Sequence, residues 1–255
     1  MASHQDWIIG FHAVTELLKY QSADVLQLVV QAGRDDERLR SLKSLARQSN
    51  IDLEELAKRE MDTRFPGVHQ GVAALYRNPI KAKTENELDA LLDSLERDPL
   101  LLVLDGLTDP HNLGACLRTA DAAGVDAVII PKDKSATLNA TVHKVASGAA
   151  ETVNLFTVTN LARCLQSLQQ RGIWIVGTAD GAGKSLFDQD LSGALALVMG
   201  SEGAGLRRLT REHCDFLVTI PMAGRLSSLN VSVATGICLF EALRQRRQEG
   251  NKAKK

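Results

Sequence analysis

The chain has 255 residues, of which 44% are hydrophobic and 24% charged, a composition typical of a folded protein and not of a disordered one. Its formal net charge is −1, so it lacks the overall positive charge of many nucleic-acid-binding proteins, and any RNA contact is expected to be local. The length fits one large domain or two smaller ones, and we work with two.

The cysteines argue against a zinc site and against a disulfide framework, because they are widely separated and form no C-x-x-C pair. They are Cys116, Cys164, Cys214 and Cys238. The chain shows no basic and then apolar leader, and no apolar run near the ~18 residues that a membrane span needs. We therefore expect a cytoplasmic protein with reduced thiols.

The first eighty residues are predicted to form a compact α/β domain. Apolar periodicity predicts helices over residues 9–20 and 37–48 and strands over 26–30 and 71–75. The turn Asn78-Pro79 opens a polar stretch that has the composition of a linker, followed by an amphipathic helix over 85–95. We place the first domain at residues 1–78 and the linker with its helix at 79–98.

From residue 99 the pattern changes to short apolar runs separated by helical segments, which is typical of a parallel sheet covered on both faces. Strands are predicted over 100–104, 125–131, 173–178, 195–199 and 217–221, with 152–158 as a possible sixth. Helices are predicted over 113–123, 138–146, 161–171, 206–213 and 231–247. The catalytic α/β domain is therefore expected to span 99–247.

Basic residues crowd the C-terminal end of the chain and are opposed there only by Glu249. They are Arg244, Arg246, Arg247, Lys252, Lys254 and Lys255. Residues 248–255 are expected to be a solvated, disordered tail, although a role in tracking RNA phosphates is an equal alternative.

Three loops that follow predicted strands carry polar residues, at the sheet edge where α/β proteins bind ligands. In the first, over 104–118, Asp109-Pro110 forces a turn and Asn112 is placed to cap the next helix. Arg118 lies about one and a half turns further on. Asn112 and Arg118 either face one pocket or are a cap and a surface arginine, and spacing alone does not separate the two interpretations.

The second loop, over 198–206, places Glu202 among Gly200, Gly203 and Gly205, and three glycines in six residues allow close approach to a ligand. Its spacing matches neither a dinucleotide fingerprint nor a phosphate loop. The third segment, over 220–237, has Ser228 and Asn230 near the start of the last predicted helix, where helix capping can coexist with a functional role.

Taken together, the three segments resemble the SpoU (TrmH-like) branch of the SPOUT methyltransferases. The resemblance extends to residues 10–14, 69–71 and 144–149, which are similar to the bacterial enzymes that methylate a guanosine 2'-oxygen in 23S rRNA. It covers the whole chain except the basic tail. It implies a parallel sheet with a C-terminal trefoil knot, preceded by a small L30e-like α/β domain that binds RNA.

The resemblance also implies S-adenosylmethionine as cofactor, bound in a bent shape by three loops. The implied cofactor-binding residues are Gly200, Ile220 and Leu229, with Met199, Met222 and Ser228 nearby. Members of the family are homodimers, in which an arginine of one chain can complete the other chain's site. No metal is required, and the sequence offers no cluster of metal ligands.

The implied reaction methylates a guanosine ribose in the 23S rRNA loop that binds the end of the P-site tRNA. Arg118 would clamp the phosphate and stabilise the developing alkoxide, because an arginine does not normally lose a proton in a protein. Asn112 and Asn230 would orient the ribose or the loop, Glu202 would position the arginine or the hydroxyl, and Ser228 would support both. The hydroxyl proton would go to water or to Glu202. Naked rRNA and an assembling ribosomal particle both remain open as substrates.

Two alternatives stay open. The same chemistry could act on tRNA or on another rRNA position, because the motifs indicate the reaction and not the nucleotide that is methylated. The N-terminal domain argues against a minimal tRNA enzyme. A non-catalytic RNA-binding or antibiotic-response factor on the same scaffold is disfavoured, since Asn112, Arg118, Glu202 and Asn230 are all present.

Overall fold

The computed structural model describes residues 5–20, 22–77 and 82–252. Contacts divide the chain into two compact units, one up to Lys81 and the other from Ala82 onward. The expected boundary at Asn78-Pro79 and the last three residues of the expected tail, 253–255, lie outside the described residues. No described helix combines the length and the apolar character that crossing a bilayer needs.

The first unit is a four-stranded mixed sheet in the order β1-β4-β2-β3, accompanied by three helices. The strands are β1 Gln5–Ile9, β2 Val25–Gln31, β3 Asp52–Leu56 and β4 Val72–Arg77, and the helices are α1 Phe11–Tyr20, α2 Glu37–Gln48 and α3 Lys58–Arg64. β4 pairs antiparallel with β1 and β2, whereas β2 pairs parallel with β3.

The predicted elements of this unit are confirmed, and three further elements were missed. The helix over 37–48 begins after Asp36, whose carboxylate accepts a hydrogen bond from Leu39 N at 3.0 Å. The missed elements are the two edge strands β1 and β3 and the single-sided helix α3, which buries only Met61. β3 has the sequence Asp-Leu-Glu-Glu-Leu and buries no residue, so it shows no apolar pattern that would mark it as a strand.

The second unit is a seven-stranded, entirely parallel sheet in the order β7-β6-β5-β10-β8-β11-β9. Its strands are β5 Leu100–Asp105, β6 Ala127–Pro131, β7 Leu155–Val158, β8 Trp174–Thr178, β9 Lys184–Ser185, β10 Leu195–Gly200 and β11 Phe216–Thr219. The possible strand over 152–158 is therefore present as β7. The count of five or six was too low because β9 has only two residues, too few to show a pattern.

Helices cover both faces of this sheet, as predicted. They are α4 Glu85–Ser94, α5 Pro110–Ala123, α6 Ala140–Ala146, α7 Ala149–Thr152, α8 Leu161–Gln170, α9 Arg208–Glu212 and α10 Val231–Lys252. One core cluster joins α5 and α10 to alternate side chains of β5 and β10, and a second joins α4 and α8 to the side chains that point the other way. Strands buried on both faces read as continuous apolar runs.

The segment 82–98, expected to be a linker with a helix, belongs to the catalytic unit. Leu88 of α4 is 2% exposed within the core cluster of α8. Lys83 bridges to Phe156 of β7, with Lys83 N donating to Leu155 O at 2.7 Å. A segment that pairs with a strand and fills a core is part of the fold, so the catalytic unit begins well before residue 99.

The C-terminal helix corrects the expected disordered tail, because α10 runs on through Lys252. Two of its arginines are structural. Arg244 donates to both oxygens of Glu241 at 2.7 and 2.8 Å, so Glu249 is not the only carboxylate that opposes this basic stretch. Arg246 donates to the backbone oxygens of Pro99 at 2.7 Å and Asp98 at 3.1 Å.

Candidate active site

A cleft of about 480 Å³ opens at the carboxyl ends of β8, β10 and β11. The ends of parallel strands meet at one edge of a sheet, which is where open α/β folds bind ligands. Its walls are formed by the end of β8, by the glycine-rich turn after β10, and by the segment that joins β11 to α10. The second and third sequence motifs therefore share one cavity.

The glycine-rich turn is closed on itself. Ser201 N donates to Gly205 O at 3.1 Å, and Gly205 N donates back to Ser201 O at 2.9 Å. A Cβ at Gly200 would lie 2.2 Å from the carbonyl carbon of Gly205, and Gly203 and Gly205 have φ of +77° and +67°. The glycines are thus needed first for the turn itself, which then presents its backbone to the cleft.

Asp105, which the sequence analysis did not single out, fixes the base of this turn. It ends β5, lies beside Gly200 in the sheet register, and is 1% exposed. Its Oδ2 accepts a hydrogen bond from Arg207 N at 2.9 Å, and Arg207 Nε lies 3.5 Å from Oδ1. A carboxylate that ends an otherwise apolar buried strand was the available signal.

Polar side chains from all three motifs meet at the cleft in one hydrogen-bonded network. Glu202 Oε1 accepts from Asn112 Nδ2 at 3.1 Å and from Asn230 Nδ2 at 2.6 Å. Asn230 Nδ2 also lies 3.0 Å from Asn112 Oδ1. One carboxylate thus holds two amides that come from segments more than a hundred residues apart, and a shared partner of this kind fixes all three side chains.

The expected cap of α5 was wrong. Asp109 is the N-cap, with its Oδ1 accepting from His111 N at 2.9 Å, and Asn112 is the third residue of the helix and only 7% exposed. Its side chain turns inward to the network instead. Asn230 belongs to the network and also caps α10, because its Oδ1 accepts a hydrogen bond from Ser232 N at 2.9 Å at the start of that helix.

The cofactor-binding residues expected from the family resemblance all line the cleft. They are Met199, Gly200, Ile220, Met222, Ser228 and Leu229, and Glu202 and Asn230 line it too. Ser228 is exposed there and makes no hydrogen bond within the described chain. One further wall of the cleft, formed by Thr178, Ala179 and Asp180 after β8, was not predicted from the sequence.

Arg118 is the expected site residue that joins neither the cleft wall nor the polar network. It is exposed on α5, it is absent from the cleft wall, and it makes no hydrogen bond or ion pair with any described residue. Six residues of α-helix turn the chain by about 600°, so Asn112 and Arg118 point in different directions. The two do not face one pocket of the same chain.

Other titratable groups take no part in the cleft. Burial raises the pKa of Cys116 to about 11 and the pKa values of Cys164 and Cys238 to about 12, so these free thiols stay protonated. His69 contacts Asp62 through Nε2 at 2.8 Å and accepts from Gly71 N at Nδ1, a structural arrangement. Among the described residues, no three His, Cys, Asp or Glu side chains are grouped to hold a metal ion.

Comparisons with known proteins agree with this architecture. The profile of the SpoU rRNA Methylase family matches residues 99–240, and a profile described as RNA 2'-O ribose methyltransferase substrate binding matches residues 7–82. The chain is 60% identical over 244 residues to the 23S rRNA (guanosine-2'-O-)-methyltransferase RlmB of Pseudomonas aeruginosa, which covers 96% of this chain and 98% of that protein.

Two solved structures are informative. The SpoU methyltransferase AviRb of Streptomyces viridochromogenes, in complex with the cofactor AdoMet, is 26% identical with a TM-score of 0.65 and covers 96% of this chain and 91% of its own. The TrmH/SpoU tRNA modifying enzyme of A. aeolicus is 34% identical with a TM-score of 0.56, but covers only 65% of this chain and 85% of its own. From the profile matches, the shared fold and the identity along nearly its full length, this chain belongs to the SpoU rRNA methylase family.

Proposed function

We propose that the protein transfers a methyl group from S-adenosylmethionine to the ribose 2'-oxygen of a guanosine in 23S rRNA, in the loop of the peptidyl transferase centre that binds the P-site tRNA. The single observation that carries the proposal is the Asn112–Glu202–Asn230 network beside the cleft. A relative 60% identical along nearly the whole chain carries the name of that activity. We place the reaction in the cytoplasm.

The cleft fits the cofactor in size and chemistry. Its volume of about 480 Å³ lies in the range of small-molecule pockets. Met199, Ile220 and Leu229 offer apolar contacts for an adenine ring, while the glycine-rich turn offers backbone groups. When bound, S-adenosylmethionine supplies an electrophilic methyl carbon on a positively charged sulfur.

Glu202 is positioned to assist the attacking hydroxyl. A ribose hydroxyl is a weak nucleophile at neutral pH, so it needs a proton acceptor or an orienting charge. Glu202 Oε1 is occupied by the two amides, while Oε2 has no hydrogen bond in the described part of the chain. The amides therefore hold the carboxylate in place and leave one oxygen for the substrate.

A second copy of the chain would supply the arginine. Arg118 is exposed and unpaired within the described chain, and α10 leaves Val233 51% and Phe240 49% exposed. Exposed apolar side chains on one helix are typical of the core of a protein–protein interface. We infer a homodimer in which Arg118 reaches the partner's cleft, clamps the substrate phosphate and stabilises the developing alkoxide.

We further infer that the C-terminal part of the catalytic unit is knotted. The sheet order supports this, because β10 follows β8 in the chain yet inserts between β5 and β8. After β11 the chain returns to pack α10 against α5. Membership of the SpoU family supports the same inference.

Methylation of tRNA is the second candidate. The A. aeolicus tRNA modifying enzyme covers only 65% of this chain, whereas residues 7–82 match a separate substrate-binding profile. A minimal tRNA enzyme manages without such a unit, and this favours a larger RNA. A non-catalytic RNA-binding factor is the less supported candidate, because it would have no need for a three-residue polar network beside a cleft.

Mapping of the methylated nucleotide tests the substrate. Full-length protein is incubated with labelled S-adenosylmethionine and 23S rRNA from a strain that lacks the gene, as naked RNA and as precursor ribosomal particles. We expect one ribose-methylated guanosine in the P-site loop, and the faster of the two substrates identifies the natural one. Label on a base atom, or transfer to tRNA alone, would contradict the proposal.

Co-expression of two inactive variants tests the dimer. Arg118→Ala is paired with Gly200→Ala, whose Cβ would clash with the turn. Heterodimers are isolated with two affinity tags. If Arg118 acts across subunits, one of the two sites is intact and about half of the wild-type activity per dimer returns. No recovery, with both variants folded by circular dichroism, would place the arginine in its own chain's site.

A further inference from the structure

We propose that Asp180 is a specificity-determining residue, whose carboxylate makes the cleft prefer the positively charged S-adenosylmethionine over the demethylated product, S-adenosylhomocysteine. The inference rests on the proposed function and deepens it. The two molecules differ by a methyl group and by one formal positive charge at sulfur. An enzyme that binds both equally well is slowed by its own product, so discrimination by charge has a direct use.

The backbone after β8 holds Asp180 at the cleft wall. Ala179 N donates to Val218 O at 3.0 Å, which fastens this loop to β11, and Ala182 N donates to Ala179 O at 3.3 Å. Gly181 has φ of +70°, a conformation that side chains rarely adopt, so the turn is specified by the sequence. Asp180 is therefore placed by the sheet and not by a loosely tethered loop.

The carboxylate of Asp180 is unused within the described chain. It makes no hydrogen bond and no ion pair, whereas Glu202, the other acidic residue of the wall, is held by two amides. The nearest basic residue in sequence, Lys184, stacks over the Phe216 ring at 5.8 Å from its centroid. Asp180 thus lacks an internal partner that would neutralise it.

The remaining wall of the cleft carries no positive charge. Among its lining residues none is lysine, arginine or histidine. Within one chain, two carboxylates without a lining cation give the cleft a negative potential, and its low-dielectric walls focus that potential. A cation is stabilised there, and an otherwise similar neutral molecule gains less.

The test measures binding of the full-length protein to three ligands by calorimetry. They are S-adenosylmethionine, S-adenosylhomocysteine, and sinefungin, an unreactive analogue that carries an ammonium group in place of the methylsulfonium. For Asp180→Asn we expect a loss of about 3- to 5-fold in affinity for the two charged ligands, the upper range for an exposed ion pair. The affinity for S-adenosylhomocysteine should change less than twofold.

Matched variants separate charge from structure. Asp188→Asn removes another exposed carboxylate that does not line the cleft, and should leave all three affinities unchanged. Asp180→Glu keeps the charge and should restore the preference for charged ligands. Raising the salt concentration should weaken S-adenosylmethionine binding to the wild type more than to Asp180→Asn.

Three results would overturn the inference. Equal losses for all three ligands would show that Asp180 contacts a group that they share, and no loss for any of them would show that it plays no part in binding. A wild type that binds neither S-adenosylmethionine nor its product would overturn the proposed function as well. That outcome differs from the other two, because it appears before any variant is measured.

Discussion

The cleft mouth and the exposed face of α5 differ in whether a single chain supplies the hydrogen-bond partners of their polar side chains. At the cleft, Asn112, Glu202 and Asn230 satisfy one another across three chain segments. On the other face of the same helix, Arg118 has no partner among the described residues. The difference indicates that one chain builds the cleft proposed to hold the methyl donor, while the group proposed to activate the RNA is directed outward.

The largest expected effect follows from Arg118→Ala. Methyl transfer should fall about 10²- to 10³-fold, the range seen when one charge-stabilising group is removed from an active site. The affinity for S-adenosylmethionine should stay within twofold, because Arg118 does not line the cleft. Single-turnover transfer and calorimetry measure the two quantities. Arg211→Ala, at an exposed arginine of α9, is the control. A loss of cofactor affinity in Arg118→Ala would contradict the difference drawn here between the cleft and the exposed face of α5.

Substitutions at Glu202 sharpen the cleft side of the comparison. Glu202→Gln keeps an acceptor for both amides and removes the charge, so transfer should fall about 10- to 100-fold with cofactor affinity nearly unchanged. Glu202→Ala removes the acceptor of the buried Asn112 Nδ2 and should lower both quantities. Transfer rates and calorimetry distinguish the two. A fully active Glu202→Gln would show that Glu202 only holds the two amides in place and that its charge has no role in methyl transfer.

The smallest effect on function is expected at the far end of α10. Arg246 is half-buried, its pKa is lowered by that burial, and it donates to the backbone oxygens of Asp98 and Pro99. Arg246→Ala should lower the free energy of unfolding by about 2 kcal/mol, because these carbonyls lose their partner. Urea unfolding measures this, with Arg211→Ala as control. A marked loss of cofactor affinity in Arg246→Ala would contradict this prediction, because it would show that the C-terminal end of α10 affects the cleft at its N-terminal end.

Sequence patterns predicted the buried strands and missed the elements at the edges. Apart from the terminal Asp105 and Gly200, the strands β5 and β10 are apolar, so their positions were clear from the local pattern. β1, β3 and β9 are edge strands that mix polar or charged residues with apolar ones, and β9 has only two residues. Such segments show no continuous apolar run, which is the pattern that reveals a buried strand.

The site was predictable in its residues and less so in its geometry. The three motifs identified Asn112, Glu202 and Asn230, but Asn112 was mistaken for a cap because Asp109 offers the same short polar side chain three residues earlier. Asp105 was overlooked although it ends an apolar run. Asp180 was overlooked because it lies in the turn two residues after β8, where a carboxylate resembles a surface residue until the strand order is known. The direction of the Arg118 side chain could not be predicted, because it depends on the residue at which α5 begins.

The hydrogen bond between Asn230 and Asn112 joins residues 118 positions apart, and Asn230 also starts the last helix. During translation the earlier amide leaves the ribosome long before its later counterpart exists, and domains form only when their contacts are available. The proposed methyl-donor pocket is therefore completed only after Asn230 and the start of α10 have been synthesised, and a chain that stops before Asn230 should be inactive because it lacks this network.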